Sequence, residues 1–233
     1  MRYILLLAFI PIFVIAVYIY KRDKFNKEPL KELLKAFAAG MFSAVVVILV
    51  HEILDLSGVD IETNVFLRAF VSAAVIEECS KFFFFYKLFW NNPNFDERFD
   101  GIVYAVYVSL GFAFVENVLY IYQDVGQAVS IARARAFFAV PAHTLFAIAM
   151  GYGAGIARFS RKRASLYLVS GLIWAILLHG IYDFLLMYSN ELASVNETFS
   201  AFIVMLFYIF VIIMWVVGFR RMKKLNEEDQ WRL

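Results

Sequence analysis

LRAFVSAAVIEECSKFFFFYKLFW, residues 67–90, is the stretch on which the fold turns. It is apolar and long enough to cross a bilayer, which takes about 20 residues. Yet Glu77, Glu78 and Lys81 stand in its middle. A charge near the bilayer centre costs roughly 2.5–3.5 kcal/mol, so intramembrane ionisable residues mark functional sites by default. On a helix, Lys81 follows Glu78 by three residues and Glu77 by four, which puts all three on one face. Ala73 and Ala74 lie a turn away on that face, where small side chains let a neighbouring helix approach. The face therefore reads as bundle interior. Cys79, the single cysteine, excludes an internal disulfide and reads as a small packing residue within the span.

The same composition extends outward. The 233 residues are 63% hydrophobic and 18% charged, whereas a soluble domain is about half apolar. The expectation is an all-α, polytopic transmembrane helix bundle forming one integral-membrane domain over residues 1–233. Seven spans are predicted: Tyr3–Tyr20, Leu34–Ile53, Leu67–Trp90, Gly101–Tyr122, Pro141–Ile156, Leu166–Met187 and Ala201–Phe219. Tyr3–Tyr20 reads as a retained helix, too long for a signal-peptide core. Basic residues cluster after the first span (Lys21 to Lys35), after the fifth (Arg158 to Arg163) and after the seventh (Arg220 to Lys224). The positive-inside rule puts these segments in the cytoplasm, with the N-terminus outside and the C-terminus inside. Arg133 and Arg135 are exceptions, within a segment, 123–140, that reads as interfacial or re-entrant over the bundle mouth.

Other spans carry polar groups of their own. Ser109, Glu116 and Tyr120 form a stripe, with Asn117 beside the glutamate; His179 and Asp183 are one turn apart. At about 1.5 Å per residue, Glu116 lies roughly 9 Å, and His179 roughly 12 Å, below the outer ends of their spans. His143 falls near the outer end of the fifth. All of them sit in the outer half of the membrane and can share one outward-opening site. His51 and Glu52, at a span end, read as interfacial, and Gly151, Gly153 and Gly155 as close helix packing.

A zinc ion held by histidine and carboxylate ligands, with a second carboxylate as general base, would hydrolyse a bond in such a site. The soluble zinc-protease pattern His-Glu-x-x-His is absent. Glu77 or Glu78 would be the base, with Glu116, His179 and His143 as metal candidates. Asp183 would either ligate the metal or orient His179, and Lys81 would balance the carboxylates. Two other readings use the same residues: a proton- or ion-coupled transporter, and a non-enzymatic scaffold with a polar lock. Transporters commonly show inverted repeats and broken helices, and neither is visible here.

The motifs Glu77-Glu78-x-x-Lys81, Phe95-Asp96-Glu97-Arg98-Phe99-Asp100-Gly101-Ile102-Val103-Tyr104, Gly111-Phe112-Ala113-x-x-Glu116-Asn117, the stretch from His143 through Gly151, and His179-Gly180-x-Tyr182-Asp183-Phe184 resemble the PrsW family of bacterial intramembrane proteases. They run in family order, and Lys27-Glu28-Pro29 fits as well. The resemblance implies a multi-pass protein of the bacterial inner membrane that cleaves a membrane-anchored anti-sigma factor on its outer side during envelope stress. By resemblance, Glu77 and Glu78 are catalytic candidates and His179 a metal or catalytic one. The expected partners are the lipid bilayer and a single-span membrane protein, not nucleic acid. The family is related to CAAX prenyl proteases and bacteriocin-immunity proteins. Against their pattern, Glu116 replaces a histidine and Asp183 an asparagine, which makes this site more acidic and argues against prenyl-protein substrates.

Overall fold

The computed structural model describes residues 2–230, and every regular element among them is helical. The helices are α1 (Arg2–Arg22), α2 (Leu30–Leu56), α3 (Ile76–Phe89), α4 (Arg98–Gln123), α5 (Ala128–Ala134), α6 (Val140–Arg158), α7 (Ala164–Ala193) and α8 (Glu197–Gln230). A π-helical stretch, Leu67–Val75, leads straight into α3, and a second one, Arg135–Ala139, joins α5 to α6. Five helical segments are long and apolar enough to cross a membrane: α2, α4, the run Val125–Arg158 containing α5 and α6, α7 and α8.

α4 is the central rod. Its residues from Phe99 to Ala113 are almost all buried, although their composition differs little from the lipid-facing helices. Glycines make this possible. A Cβ on Gly111 would overlap the Phe37 carbonyl of α2, and one on Gly151 would overlap the Gly101 carbonyl of α4. Backbones this close gain dispersion contacts and exclude lipid without any large side chain. Gly153 meets Gly171 in the same way and draws α7 onto α6. The expected packing role of Gly151, Gly153 and Gly155 is thus met.

α1 runs antiparallel along α4. The Asn117 amide donates to the Ala8 carbonyl at 3.3 Å and the Tyr107 hydroxyl to the Ala16 carbonyl at 2.9 Å. α3 returns beside α2, where the Ser80 hydroxyl donates to the Ser43 carbonyl at 3.0 Å. Near the C-terminal end of α2, a His51 ring nitrogen lies 3.1 Å from the Ser72 hydroxyl, so this residue is tied to the π-helical stretch before α3.

The N-terminus of α4 is held twice. Glu97 and Asp100 form a reciprocal capping box, which satisfies backbone N–H groups that the first turn leaves open. From the far end of α8, Asp229 accepts the Arg98 and Phe99 N–H groups at 3.1 and 2.9 Å. In the α1–α2 loop, Tyr104 donates its hydroxyl to Glu28. Burial pushes the Glu28 carboxyl up to about 8 and lifts Asp23 above the ordinary carboxylate range.

Two expectations are corrected. His143 is not shallow: the helical chain begins well before Pro141, so His143 sits inside it and is 5% exposed. Cys79 is exposed on the outer surface of α3 and packs nothing in the interior.

Candidate functional site: a buried acid, imidazole and ammonium cluster

Helical spacing puts Glu77, Glu78 and Lys81 on one face of α3, and the structure closes that face against α4, α6 and α7. The Lys81 ammonium lies 2.8 Å from Glu78 Oε1, 3.1 Å from Glu77 Oε2 and 3.3 Å from His143 Nδ1. It also sits 3.9 Å from the centre of the Phe112 ring, close enough for a cation–π attraction. Glu78 and Lys81 are each 1% exposed. A buried ion pair of this kind needs every remaining polar atom satisfied to offset its desolvation, and the neighbouring helices supply the partners.

The first partner is His143 on α6. Its Nε2 lies 2.7 Å from Glu116 Oε2, while its backbone carbonyl accepts the Ser109 hydroxyl at 2.9 Å. The second is His179 on α7. Its Nδ1 lies 2.9 Å from Glu78 Oε1 and its Nε2 3.2 Å from Asp183 Oδ2, and the ring stacks on Phe146 at 4.6 Å between centroids. The third is Arg135, from the π-helical turn before α6. Its guanidinium lies 2.7 Å from Glu116 Oε2, donates to Asn117 Oδ1 at 2.6 Å and covers the Tyr120 ring. All seven residues singled out in the sequence are therefore linked: Glu77, Glu78, Lys81, Glu116, His143, His179 and Asp183.

A cavity of about 520 Å³ opens on this chain of contacts, lined by Glu77, Glu116, His143, His179, Tyr182 and Asp183 among others. Glu78 lies behind it. Tyr182 is 5% exposed, and its hydroxyl has no hydrogen-bond partner. Its position three residues after His179, on the same helix face, is the only signal that spacing offered for it. Arg135 stood out in the sequence only as a basic residue on the acidic side. The segment expected to lie at the interface or re-enter over the bundle mouth instead runs on into α6 as one helical rod, Val125–Arg158, and lines the cavity with Ala134, Arg135, Phe138 and Ala139.

Among the described residues, the donor atoms that converge at the site belong to Glu77, Glu78 and His143, within 4.8 Å of one another. That grouping differs from the expected set of Glu116, His143, His179 and Asp183. Glu116 backs His143 from its far nitrogen, and both His179 nitrogens already face carboxylates. Two carboxylates and one imidazole are a donor set that zinc accepts. The Lys81 ammonium lies within 3.3 Å of all three residues, so an ion at that point requires it to swing aside.

Ionisable groups packed together among several long apolar helices define a multi-pass membrane protein with a buried cluster of acids, imidazoles and an ammonium. A family profile described as PrsW family intramembrane metalloprotease matches residues 28–217, and the chain belongs to that family. It is 33% identical over 223 residues to a protein named Protease PrsW from Clostridioides difficile, covering 94% of this chain and 90% of that one. The protein of the same name from Geobacillus kaustophilus is 38% identical over 170 residues, 73% of each chain. That from Bacillus subtilis is 33% identical over 210 residues, 89% of this chain and 88% of the other. No solved structure matches the chain. The transporter reading gains no support from these relatives.

Proposed function

We propose that this protein is an intramembrane metalloprotease of the bacterial inner membrane. Its substrate would be a single-span regulatory protein of the anti-sigma-factor class, cut near the outer face. The observation that carries the reading is the meeting of Glu77, Glu78, Lys81, His143 and His179 from three helices inside an apolar bundle, with Glu77, His143 and His179 lining one cavity. Family membership and the names of the relatives support the peptidase class. The anti-sigma substrate rests on the resemblance alone, as does the wider kinship with CAAX prenyl proteases.

In this reading seven helical rods cross the bilayer, α1 and the π-helical–α3 rod joining the five that length and apolarity identify. The basic loops lie in the cytoplasm. The cavity then faces outward, since Glu116 is seven residues from the outer end of α4 (Gln123) and eighteen from its inner end (Arg98).

Of the three converging donors, Glu78 and His143 would hold a divalent ion and leave its remaining positions to water and substrate. When bound, it would supply Lewis acidity to water and to a peptide carbonyl. Glu77, the carboxylate of the converging trio that lines the cavity, accepts the proton of an attacking water and passes it to the leaving amine. Glu116 fixes the His143 ring from behind, as outer carboxylates commonly do for ligand histidines. Asp183 and Glu78 hold the His179 ring between them. The Tyr182 hydroxyl, unpartnered in a residue that lines the cavity, would donate a hydrogen bond to the substrate carbonyl oxygen as charge develops there. An unpaired buried hydroxyl costs about 1–3 kcal/mol, and a substrate oxygen would remove that penalty. Tyr182→Phe is therefore expected to lower kcat while leaving thermal stability equal or higher. Lower stability with unchanged kcat would make the hydroxyl structural.

Because helical carbonyls are already hydrogen-bonded, a substrate helix must unwind near the outer interface before it is cut. Purified protein reconstituted with a single-span substrate, N-terminus inside, should release products whose ends map to the extracytoplasmic juxtamembrane region or the outer helical turns. Mass spectrometry of those products tests the reading. A cut at the cytoplasmic border, or none with metal supplied, would overturn it.

A further inference from the structure

At the opposite end of the bundle from the cavity, four carboxylates from three segments meet: Asp23 and Glu28 from the α1–α2 loop, Glu97 from the α3–α4 loop and Asp100 from the first turn of α4. Asp23 and Asp100 are fully buried, Glu28 is 2% exposed and Glu97 is 8% exposed. One oxygen from each of Asp23, Glu97 and Asp100 lies within 4.8 Å of the others.

The second observation concerns what these groups lack. Each carboxylate has two oxygens, and the structure accounts for one set of them. Asp23 Oδ2 accepts the Glu28 N–H at 3.1 Å, Asp100 Oδ2 the Glu97 N–H at 2.6 Å, Glu97 Oε1 the Asn26 N–H at 3.1 Å, and Glu28 Oε2 the Tyr104 hydroxyl. The other oxygens of Asp23, Glu28 and Asp100 are buried and accept no N–H or hydroxyl donor, and the Glu28 and Asp100 carboxyl groups lie against each other. None of the four carboxylates forms an ion pair with a described lysine, arginine or histidine. Of the basic groups nearby, Lys27 donates to the Tyr20 and Asp23 carbonyls, and Arg98 pairs through Nη1 with Glu228 rather than with any of the four. Buried carboxylates are acceptor-only when ionised, and buried charges are ordinarily paired or bound to a metal.

We propose that Asp23, Glu28, Glu97 and Asp100 form a second cation site, for a hard divalent ion such as Mg²⁺ or Ca²⁺, that clamps the α1–α2 and α3–α4 loops to the foot of α4. The donor set is oxygen only, which selects against zinc and copper and for the hard cations. The free oxygens of Asp23, Glu28 and Asp100 come from two separate segments, so one ion would cross-link elements that backbone hydrogen bonds join only in pairs. The site is chemically distinct from the nitrogen-containing cluster around His143, and it stands whether or not that cluster hydrolyses anything.

The rival is that protons, not a metal, satisfy the free oxygens by carboxyl–carboxyl sharing. Terbium, a hard trivalent stand-in for Ca²⁺, separates the two, because Tyr104 bonded to Glu28 can sensitise its emission. Full-length protein in detergent, stripped with chelator, is titrated with terbium under tyrosine excitation. Mg²⁺ and Ca²⁺ are then added as competitors, and thermal midpoints are recorded with each ion. The expected result is saturable emission, displaced by Ca²⁺ or Mg²⁺, and a midpoint that rises with the same ion. Changes that only disturb a ligand's surroundings cost about 10–100-fold in metal affinity. Asp23→Asn and Glu28→Gln should weaken terbium binding at least that much, whereas Glu77→Gln and His143→Ala leave it unchanged. Wild-type protein that shows neither saturable emission nor ion-dependent stabilisation overturns the proposal, even if the loop variants fail to fold. Emission lost in Glu77→Gln and kept in Asp23→Asn would place the ion at the other site and overturn it equally.

Discussion

Glu77→Gln is expected to lower the cleavage rate by about 10²–10⁴-fold, the usual effect of removing a general base, while leaving the protein folded. The side chain keeps its size and can still bond Lys81, and it is the carboxylate of the pair that reaches the cavity. Glu78→Gln is expected to lose activity too, but with a second signature. Glu78 is buried and joins Lys81 to His179, so its loss leaves an ammonium without its nearest counter-charge and lowers thermal stability. Metal content measured beside activity separates the roles. Glu77→Gln should keep its metal and Glu78→Gln should lose it. Loss of metal from Glu77→Gln would make Glu77 a ligand, and full activity in both variants would remove the pair from catalysis.

Lys81→Met should destabilise the fold by about 3–5 kcal/mol, the cost of taking one partner from a buried ion pair. The ammonium is the hub on which Glu77, Glu78 and His143 meet, and a methionine of similar length leaves two carboxylates facing each other in apolar surroundings. The measurement is the thermal midpoint in detergent, with Glu78→Gln and the double variant completing a mutant cycle. The double change should cost less than the sum of the singles, because the glutamine no longer needs a counter-charge. Added zinc should restore part of the stability of Lys81→Met by occupying the point the ammonium vacated. A variant as stable as the wild type would mean that Lys81 is not the counter-ion of this cluster.

Much of this site is local, and local geometry is legible. Glu77, Glu78 and Lys81 share a helix face because three- and four-residue spacings do so on any α-helix. His179 and Asp183 are neighbours for the same reason, and the 3.2 Å contact between them needed no tertiary information. The apolar spans follow from composition, since lipid leaves the backbone no partner but itself. Charge alone, two arginines on the acidic side, marked the 123–140 segment as unusual but misread it as interfacial or re-entrant, because the helix it continues into α6 is set by packing.

What tertiary structure decided is which of these local pairs meet. His143 joins Lys81 to Glu116 because α4 and α6 touch through Gly101 and Gly151, and a crossing point depends on two surfaces at once. Arg135 reaches Glu116 because a π-helical turn carries the chain into α6, a bend that hydropathy does not record. The Asp23, Glu28, Glu97 and Asp100 cluster was invisible because its members are up to 77 residues apart and each alone resembles an ordinary loop acid. Hydropathy and helical period are properties of one segment, and so the sequence determined the all-helical, apolar character of the chain and which polar residues share a helix face. Partner, depth and donor set are properties of contacts between segments, fixed only when glycine-mediated approach set the crossings.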